Sequence, residues 1–279
     1  MGKFDGFLMC SDVDGTLTNS KGEISKENLE AIKYFQKNGG KFTISTGRFP
    51  EYIKNYFKVF SPNCPAVVAN GGILYDYIND KIIKSESLLE DLIDLIEFFW
   101  YNMPQVNQIG FSDENECTFN LVKDKNAFLD NYFKNVIEIK SLDWLKNIYN
   151  ENKHNITRMF FIMSEDKLME SYAKLKSKFS DKFELFPSWK EGIECMPFGI
   201  NKGKMVLELK KYLGDIHTTV CVGDYDNDIS MLKIADISYA VENAPQRVKD
   251  YATKIAPEHN QSAIKYIINN LLIEKGEVL

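Results

Sequence analysis

The sequence has no long apolar run, no block of basic residues, and no cysteine or histidine pair at metal-ligand spacing. Its longest apolar stretch, Leu88–Trp100, is interrupted by Asp91, Asp94 and Glu97, which excludes a membrane span. The apolar run Phe7–Cys10 is too short for a secretory core and meets Asp12 almost at once, so no leader is expected. A net charge of −6 and a pI near 5.3 exclude the basic footprint of a nucleic-acid binder. The five cysteines are odd in number and scattered. With Cys10 and Cys221 inside expected core strands, they read as reduced, buried residues rather than a disulfide framework or zinc site. The expected compartment is therefore the cytoplasm, where the glycosylation patterns at Asn155 and Asn260 are incidental. The three histidines, His154, His217 and His259, are far apart, and there is neither an internal repeat nor a low-complexity tract.

What remains is a globular composition, 44% hydrophobic and 27% charged, over 279 residues, enough for a large core in one or two domains. The most informative stretch is Phe7-Leu-Met-Cys-Ser-Asp12-Val-Asp14-Gly-Thr16-Leu-Thr18. An apolar run ending on a turn signal reads as a buried strand of a mostly parallel sheet. Asp12 and Asp14 then sit just past its carboxyl end, where open α/β sheets place ligands. Residues i and i+2 of an extended segment project to one side, and two like charges there call for a cation or a proton. Alone, the stretch is also compatible with an Asx-rich turn ending an ordinary strand.

Further on, Ser25 caps an expected helix carrying Ile32 and Phe35, which Asn38-Gly39-Gly40 stops. A strand over Lys41–Ser45 ends in Ser45-Thr46-Gly47-Arg48, a helix covers Pro50–Phe60, and a third strand, Ala66–Ala69, ends on Asn70-Gly71-Gly72. This alternation predicts a parallel sheet. From about Lys84 to about Glu194 the texture changes. Leu88, Leu92, Leu95, Ile96 and Phe99 mark an amphipathic helix, short strands are expected within Gln108–Val122, and Asn126–Phe133 and Lys167–Phe179 read as helices around a strand at Arg158–Met163. The dense aromatics (Trp100, Tyr101, Trp144, Tyr149, Phe160, Phe161, Trp189) are expected in its core. The βα rhythm resumes with a helix over Lys202–Leu213, a strand over Thr218–Val222 ending on Gly223-Asp224-Tyr-Asp-Asn227-Asp228, strands at Ile237–Val241 and Thr253–Ala256, and a last helix presenting Ile264, Ile267, Ile268, Leu271 and Leu272. The expected fold is an α/β, Rossmann-like parallel-sheet core (residues 1–83 plus 195–279) with an inserted α+β domain (84–194).

Four strand ends thus carry polar residues, and Lys202 opens a helix. The Asp224 cluster is not an EF-hand, because Ile229 replaces the sixth-position glycine and Ala235 the twelfth-position acid. A few oxygen ligands at a sheet edge suit Mg²⁺ shared with a substrate phosphate. A carboxylate nucleophile, a hydroxyl and a lysine beside them make a phosphoryl-transfer site. The ordered set Asp12-Val-Asp14-Gly-Thr, Ser45-Thr46-Gly47-Arg48, Asn201-Lys202-Gly203 and Gly223-Asp224-x-x-Asn227-Asp228 resembles the four motifs of the haloacid dehalogenase (HAD) superfamily. More closely it resembles the Cof-type phosphatases, whose large cap lies between the second and third motifs.

The resemblance implies a Mg²⁺-dependent phosphatase acting on a small phosphorylated metabolite, a sugar or cofactor phosphate. Asp12 is the implied nucleophile and Asp14 the acid and then base. Thr46, Gly47, Arg48, Asn70, Lys202 and Asn227 would contact phosphate or substrate. Mg²⁺ would be held by Asp12, the carbonyl of Asp14, Asp224, and Asn227 or Asp228. The insert would be a cap selecting substrate, with hinges near Ile82–Glu86 and Glu191–Pro197. Neither a nucleic-acid nor a membrane partner is implied, and the oligomeric state is left open. A hexose phosphomutase, or a non-catalytic binder of phosphorylated metabolites on the same scaffold, are the alternatives; retention of every motif residue disfavours the second. Singly, Thr46 also reads as a helix cap, Lys202 as a solvated lysine, Asn227 and Asp228 as caps, and Arg48 as a salt-bridge partner. One departure stands out: Glu258-His-Asn-Gln-Ser262 occupies the place where such relatives often carry Asn-Glu-Asp-Gly-Val.

Overall fold

The computed structural model describes residues 2–88, 92–115, 118–122, 136–138, 141, 143, 144, 147, 155–274 and 276. The expected helix Asn126–Phe133, together with Cys117, Tyr149 and His154, lies outside the described residues. Two compact units are found, Met1–Lys84 with Asn201–Leu279, and Ser85–Ile200.

In the first unit five parallel strands run in the order Lys254–Ala256, Ile237–Val241, Thr218–Gly223, Phe7–Ser11, Lys41–Ile44. The two central strands are nearly all buried, which is why they read as unbroken apolar runs rather than alternating ones. Strand Phe7–Ser11 has the next strand in sequence on one side and Thr218–Gly223 on the other. That reversal of direction is a topological switch point, where a crevice opens at the carboxyl ends. Ser11 pairs with Val222, so the two chains leave the sheet side by side just before Asp12 and Asp224.

Helices close over this sheet through their apolar stripes. Lys26–Lys37 starts at Ser25, whose Oγ accepts from the Asn28 N–H at 3.2 Å. It buries Ala31, Ile32 and Phe35 and packs on Ala263–Ile273, whose Ile264, Ile267, Ile268, Leu271 and Leu272 are all buried as expected. Lys202–Leu213 packs likewise on the short helix Ile229–Ile234.

One strand behaves differently from the reading of the sequence. Ala66–Val68 touches the parallel sheet through a single bridge, Ser45 to Val67, and otherwise pairs antiparallel with Ile73–Asp76 in a three-stranded sheet completed by Lys81–Ser85. The chain folds back through three successive residues in the left-handed region, Ala69 (φ 48°), Asn70 (φ 54°) and Gly71 (φ 96°), and the antiparallel pairing holds them there.

The second unit is α+β. Its six-stranded sheet has the order Phe183–Trp189, Gly192–Pro197, Ile156–Ile162, Gln108–Asp113, Thr118–Val122, Val136–Glu138, antiparallel except for the last pair. Leu92–Asn102 and Glu165–Phe179 bury Leu95, Ile96, Phe99, Leu168 and Leu175 in a core shared with Phe111, Phe119, Phe161 and Ile193. Strand Gly192–Pro197 is a full member of this sheet, so the chain returns to the first unit past Pro197 rather than at the boundary of 194 drawn from sequence. Among the aromatics expected inside, Phe160 and Phe161 are buried, but Tyr101 is 71% exposed at the end of its helix. Cys10, Cys64, Cys195 and Cys221 are free and buried. Among the described residues, no helix is long and apolar enough to cross a membrane.

Candidate active site

The site is assembled by chain ends that the parallel sheet brings together. Asp12 follows the central strand, and its N–H donates to the Val222 carbonyl at 2.9 Å, tying the loop it opens to the neighbouring strand. The chain then turns at Gly15 (φ 74°), where a Cβ would lie 2.5 Å from Asp224 Oδ2. Glycine is required there twice, by conformation and by the nearness of the carboxylate. Thr16 Oγ donates to Asp224 Oδ1 at 3.0 Å.

Lys202 is the first residue of its helix and is fully buried. Asn201 caps that helix, accepting from the Lys204 N–H at 2.9 Å, and this fixes where the lysine stem enters. Its Nζ donates to Asp12 Oδ1 at 2.7 Å and to Asp228 Oδ1 at 2.6 Å. Asp228 spends its other oxygen on the N–H groups of Asp224 (2.9 Å) and Tyr225 (3.1 Å). Close backbone approaches need glycines at two neighbouring points: a Cβ on Gly71 would meet the Asn201 carbonyl at 2.2 Å, and one on Gly203 the Ser230 carbonyl at 2.3 Å.

Asp12, Asp224 and Asp228 each offer a carboxylate oxygen, and these oxygens all lie within 4.8 Å of one another. Three carboxylates against one ammonium leave a formal −2 in a buried place. Burial, more than any neighbour, pushes the Asp12 carboxyl up; Lys202 opposes this and the other aspartates add to it. Burial and then Asp228 push Asp224 up to about 7. Burial works against the charge of Lys202, yet Asp12 and Asp228 outweigh it and raise its pKa, keeping the ammonium charged. Asn227 adds a buried Oδ1 with no hydrogen-bond partner. An excess of buried negative charge on three converging carboxylates suits a hard cation.

The remaining expected residues form a second group. Arg48 holds Asp14 with two parallel bonds, Nε to Oδ2 and Nη2 to Oδ1, both 2.7 Å. Asn227 Nδ2 donates to Asn70 Oδ1 at 3.0 Å, and a Cβ on Gly47 would lie 2.9 Å from the Asn70 amide, so Gly47, Asn70 and Asn227 adjoin. Thr46 is buried; its Oγ accepts from the Arg48 N–H at 3.2 Å and its carbonyl from the Asn70 N–H at 3.0 Å. The sequence did not reveal that Asp228 anchors Lys202 or that Asn227 meets Asn70. Their only signals were an Asp and an Asn after a strand-ending Gly-Asp.

A family model for haloacid dehalogenase-like hydrolases matches residues 9–268, nearly the whole chain. The chain belongs to the haloacid dehalogenase-like hydrolases. Among its relatives is 5-amino-6-(5-phospho-D-ribitylamino)uracil phosphatase of Bacillus subtilis, 26% identical over 94% of this chain and 96% of that protein. The pyridoxal phosphate phosphatase of Escherichia coli is 22% identical over 95% and 98%. A HAD/Cof-like hydrolase structure from Plasmodium vivax superposes with a TM-score of 0.79 at 24% identity, covering 98% of this chain and 97% of that one. Such likeness establishes the fold, an α/β Rossmann-like core with an inserted α+β cap. With named phosphatases among its relatives, this HAD protein is a phosphoric monoester hydrolase of the Cof type.

Proposed function

We propose that this HAD hydrolase removes phosphate from a small phosphorylated metabolite, a sugar or cofactor phosphate, through a phosphoryl group carried on Asp12. The observation that carries the reading is the buried triad of Asp12, Lys202 and Asp228, with Lys202 Nζ 2.7 Å from Asp12 Oδ1. A carboxylate so placed is fixed in orientation, and its second oxygen is free to attack phosphorus.

In this reading the Asp12 oxygen forms a bond to phosphorus as the bond to the leaving oxygen breaks. Asp14 gives that oxygen its proton, then takes one from the water that attacks the aspartyl-phosphate, restoring Asp12 and releasing inorganic phosphate. Asp14 is engaged with Arg48 before substrate arrives, so it must leave that pair to act. Lys202 offsets negative charge between Asp12 and the incoming phosphoryl group, and Thr46 and Asn70 offer hydroxyl and amide donors to its oxygens. Asp12, Asp224, the Asp14 carbonyl and Asn227 would hold Mg²⁺, which when bound neutralises phosphoryl oxygens and orients them. Asp228, with both oxygens engaged by Lys202 and the loop N–H groups, anchors these partners and is better placed behind the ion than on it. Substrate choice falls to the inserted unit, and the free, buried cysteines suit a reducing, cytoplasmic setting. Support for the substrate class comes from relatives named for a phosphorylated ribitylaminouracil and for pyridoxal phosphate.

The test compares wild type with Asp12→Asn on p-nitrophenyl phosphate, with Mg²⁺ and with EDTA. Mg²⁺-dependent phosphate release that Asp12→Asn abolishes, in a protein that melts as a folded chain, is expected. Equal turnover by the two proteins rejects the nucleophile assignment.

A further inference from the structure

The segment Glu258–Ser262 is joined to the chain that follows Asp12 through Asn243 and, further along, through Ser20 and Ser25. Asn243 follows the strand Ile237–Val241. Its Nδ2 donates to the Gly15 carbonyl at 2.9 Å, and its Oδ1 accepts from the His259 N–H at 3.0 Å. Around this bridge the same two segments are tied again. The Ser20 N–H donates to Asn260 Oδ1 at 3.0 Å, Ser20 Oγ lies 3.1 Å from His259 Nε2, and Ser25 Oγ lies 2.9 Å from Ser262 Oγ. The Lys265 N–H donates to Asn28 Oδ1 at 3.0 Å.

From this geometry we infer that Asn243 is a positioning residue for the phosphoryl-transfer loop, acting through the Gly15 carbonyl. The inference rests on the phosphatase reading of Asp12 and Asp14. Gly15 is the one residue of the loop in the left-handed region, so the loop has its weakest conformational preference there. The peptide between Gly15 and Thr16 is planar, and fixing its carbonyl fixes the opposite N–H and the departure of Thr16. Thr16 in turn bonds Asp224 at 3.0 Å, and Asp14 lies immediately before the same turn. Asn243 is the only side chain among the described hydrogen bonds to meet the Gly15 carbonyl. Its two amide atoms do separable work: the donor holds the loop, and the acceptor holds Glu258–Gln261.

That separation supplies the experiment. Asn243→Ala removes both bonds, whereas Asn243→Asp keeps an acceptor for the His259 N–H and loses the donor to Gly15. With p-nitrophenyl phosphate and saturating Mg²⁺, both variants are expected to lose about five- to tenfold in kcat, the worth of one hydrogen bond, with KM within about twofold of wild type. Asn243→Asp is expected to keep its melting temperature close to wild type. A kcat for Asn243→Ala within about twofold of wild type overturns the inference. So does a loss confined to Asn243→Ala and matched by unfolding, since that assigns the residue to stability alone. Amide exchange at Thr18, whose N–H closes the loop onto the Val13 carbonyl at 3.0 Å, gives a readout independent of turnover. It should quicken about tenfold in Asn243→Ala, and unchanged exchange refutes the brace. A wild type that releases no phosphate while this exchange responds would discard the phosphatase reading and leave the brace standing.

Discussion

Replacing Lys202 by methionine, which keeps the length and removes the charge, is the severest test of how this site is held together. The ammonium is fully buried and meets Asp12 at 2.7 Å and Asp228 at 2.6 Å. At an effective dielectric of about 20, each contact represents roughly 6 kcal/mol of gross attraction. Desolvation consumes most of that, and breaking a buried pair by removing one partner leaves a net loss of about 3–5 kcal/mol. The variant also leaves Asp12, Asp224 and Asp228 together with no cation among their side chains. Urea unfolding in EDTA should therefore show a loss of about 3–5 kcal/mol, a large fraction of a typical stability of about 5–15 kcal/mol. Phosphate release should fall at least about a thousandfold, because the variant loses both the orientation of Asp12 and the charge facing the phosphoryl group. Adding Asp228→Asn should return about 1–2 kcal/mol, because one unpaired buried charge is gone, but no turnover. A Lys202→Met protein within about 1 kcal/mol of wild type and within tenfold of its activity would refute the argument that this triad is both scaffold and machinery.

Two further outcomes follow from the same charges. Arg48→Lys loses the two-pronged hold on Asp14. Both partners are more than a third exposed (39% and 56%), so stability should move by less than about 1 kcal/mol while KM rises several-fold, measured by urea unfolding and by steady-state kinetics. Chelation followed by Mg²⁺ addition should raise stability by about 2.7 kcal/mol when the ion stands at a hundred times its dissociation constant; a melting temperature indifferent to Mg²⁺ removes the metal from the reading.

The parallel core was legible because its two central strands are buried, mainly apolar runs ending on chemistry, and each signal is local. Ser25, Asn201 and the glycines after Asn38 and Leu213 mark helix ends through hydrogen bonds or turns that reach only a few residues. The hairpin at Asn70-Gly71-Gly72 was less legible, since the same three residues can end a strand or reverse it. What decides is the pairing of Ala66–Val68 with Ile73–Asp76, which no single segment encodes. Tyr101 was misplaced for a related reason: an aromatic at the last turn of an amphipathic helix can fall on either face, and here it faces water.

The site divides along the same line. Asp12, Asp14, Lys202 and Asp224 stood out as candidates because an ordered set of motifs at strand ends is hard to produce otherwise, and the structure brings Asp12, Lys202 and Asp224 together while Asp14 pairs with Arg48. Who holds whom could not be read, because Lys202 reaches Asp12 and Asp228 across 190 and 26 positions of chain. That distance changes the meaning of Asp228. As a sequence feature it is a spare ligand beside Asp224; as a neighbour of Lys202 it sets the position of the ammonium and, through two N–H groups, the path of the Asp224 loop. Its carboxylate therefore couples the lysine and the Asp224 loop, and a change at either should be felt at the other. The coupling energy of Lys202→Met with Asp228→Asn measures that link, and a value near zero would mean that the two contacts to Lys202 act independently.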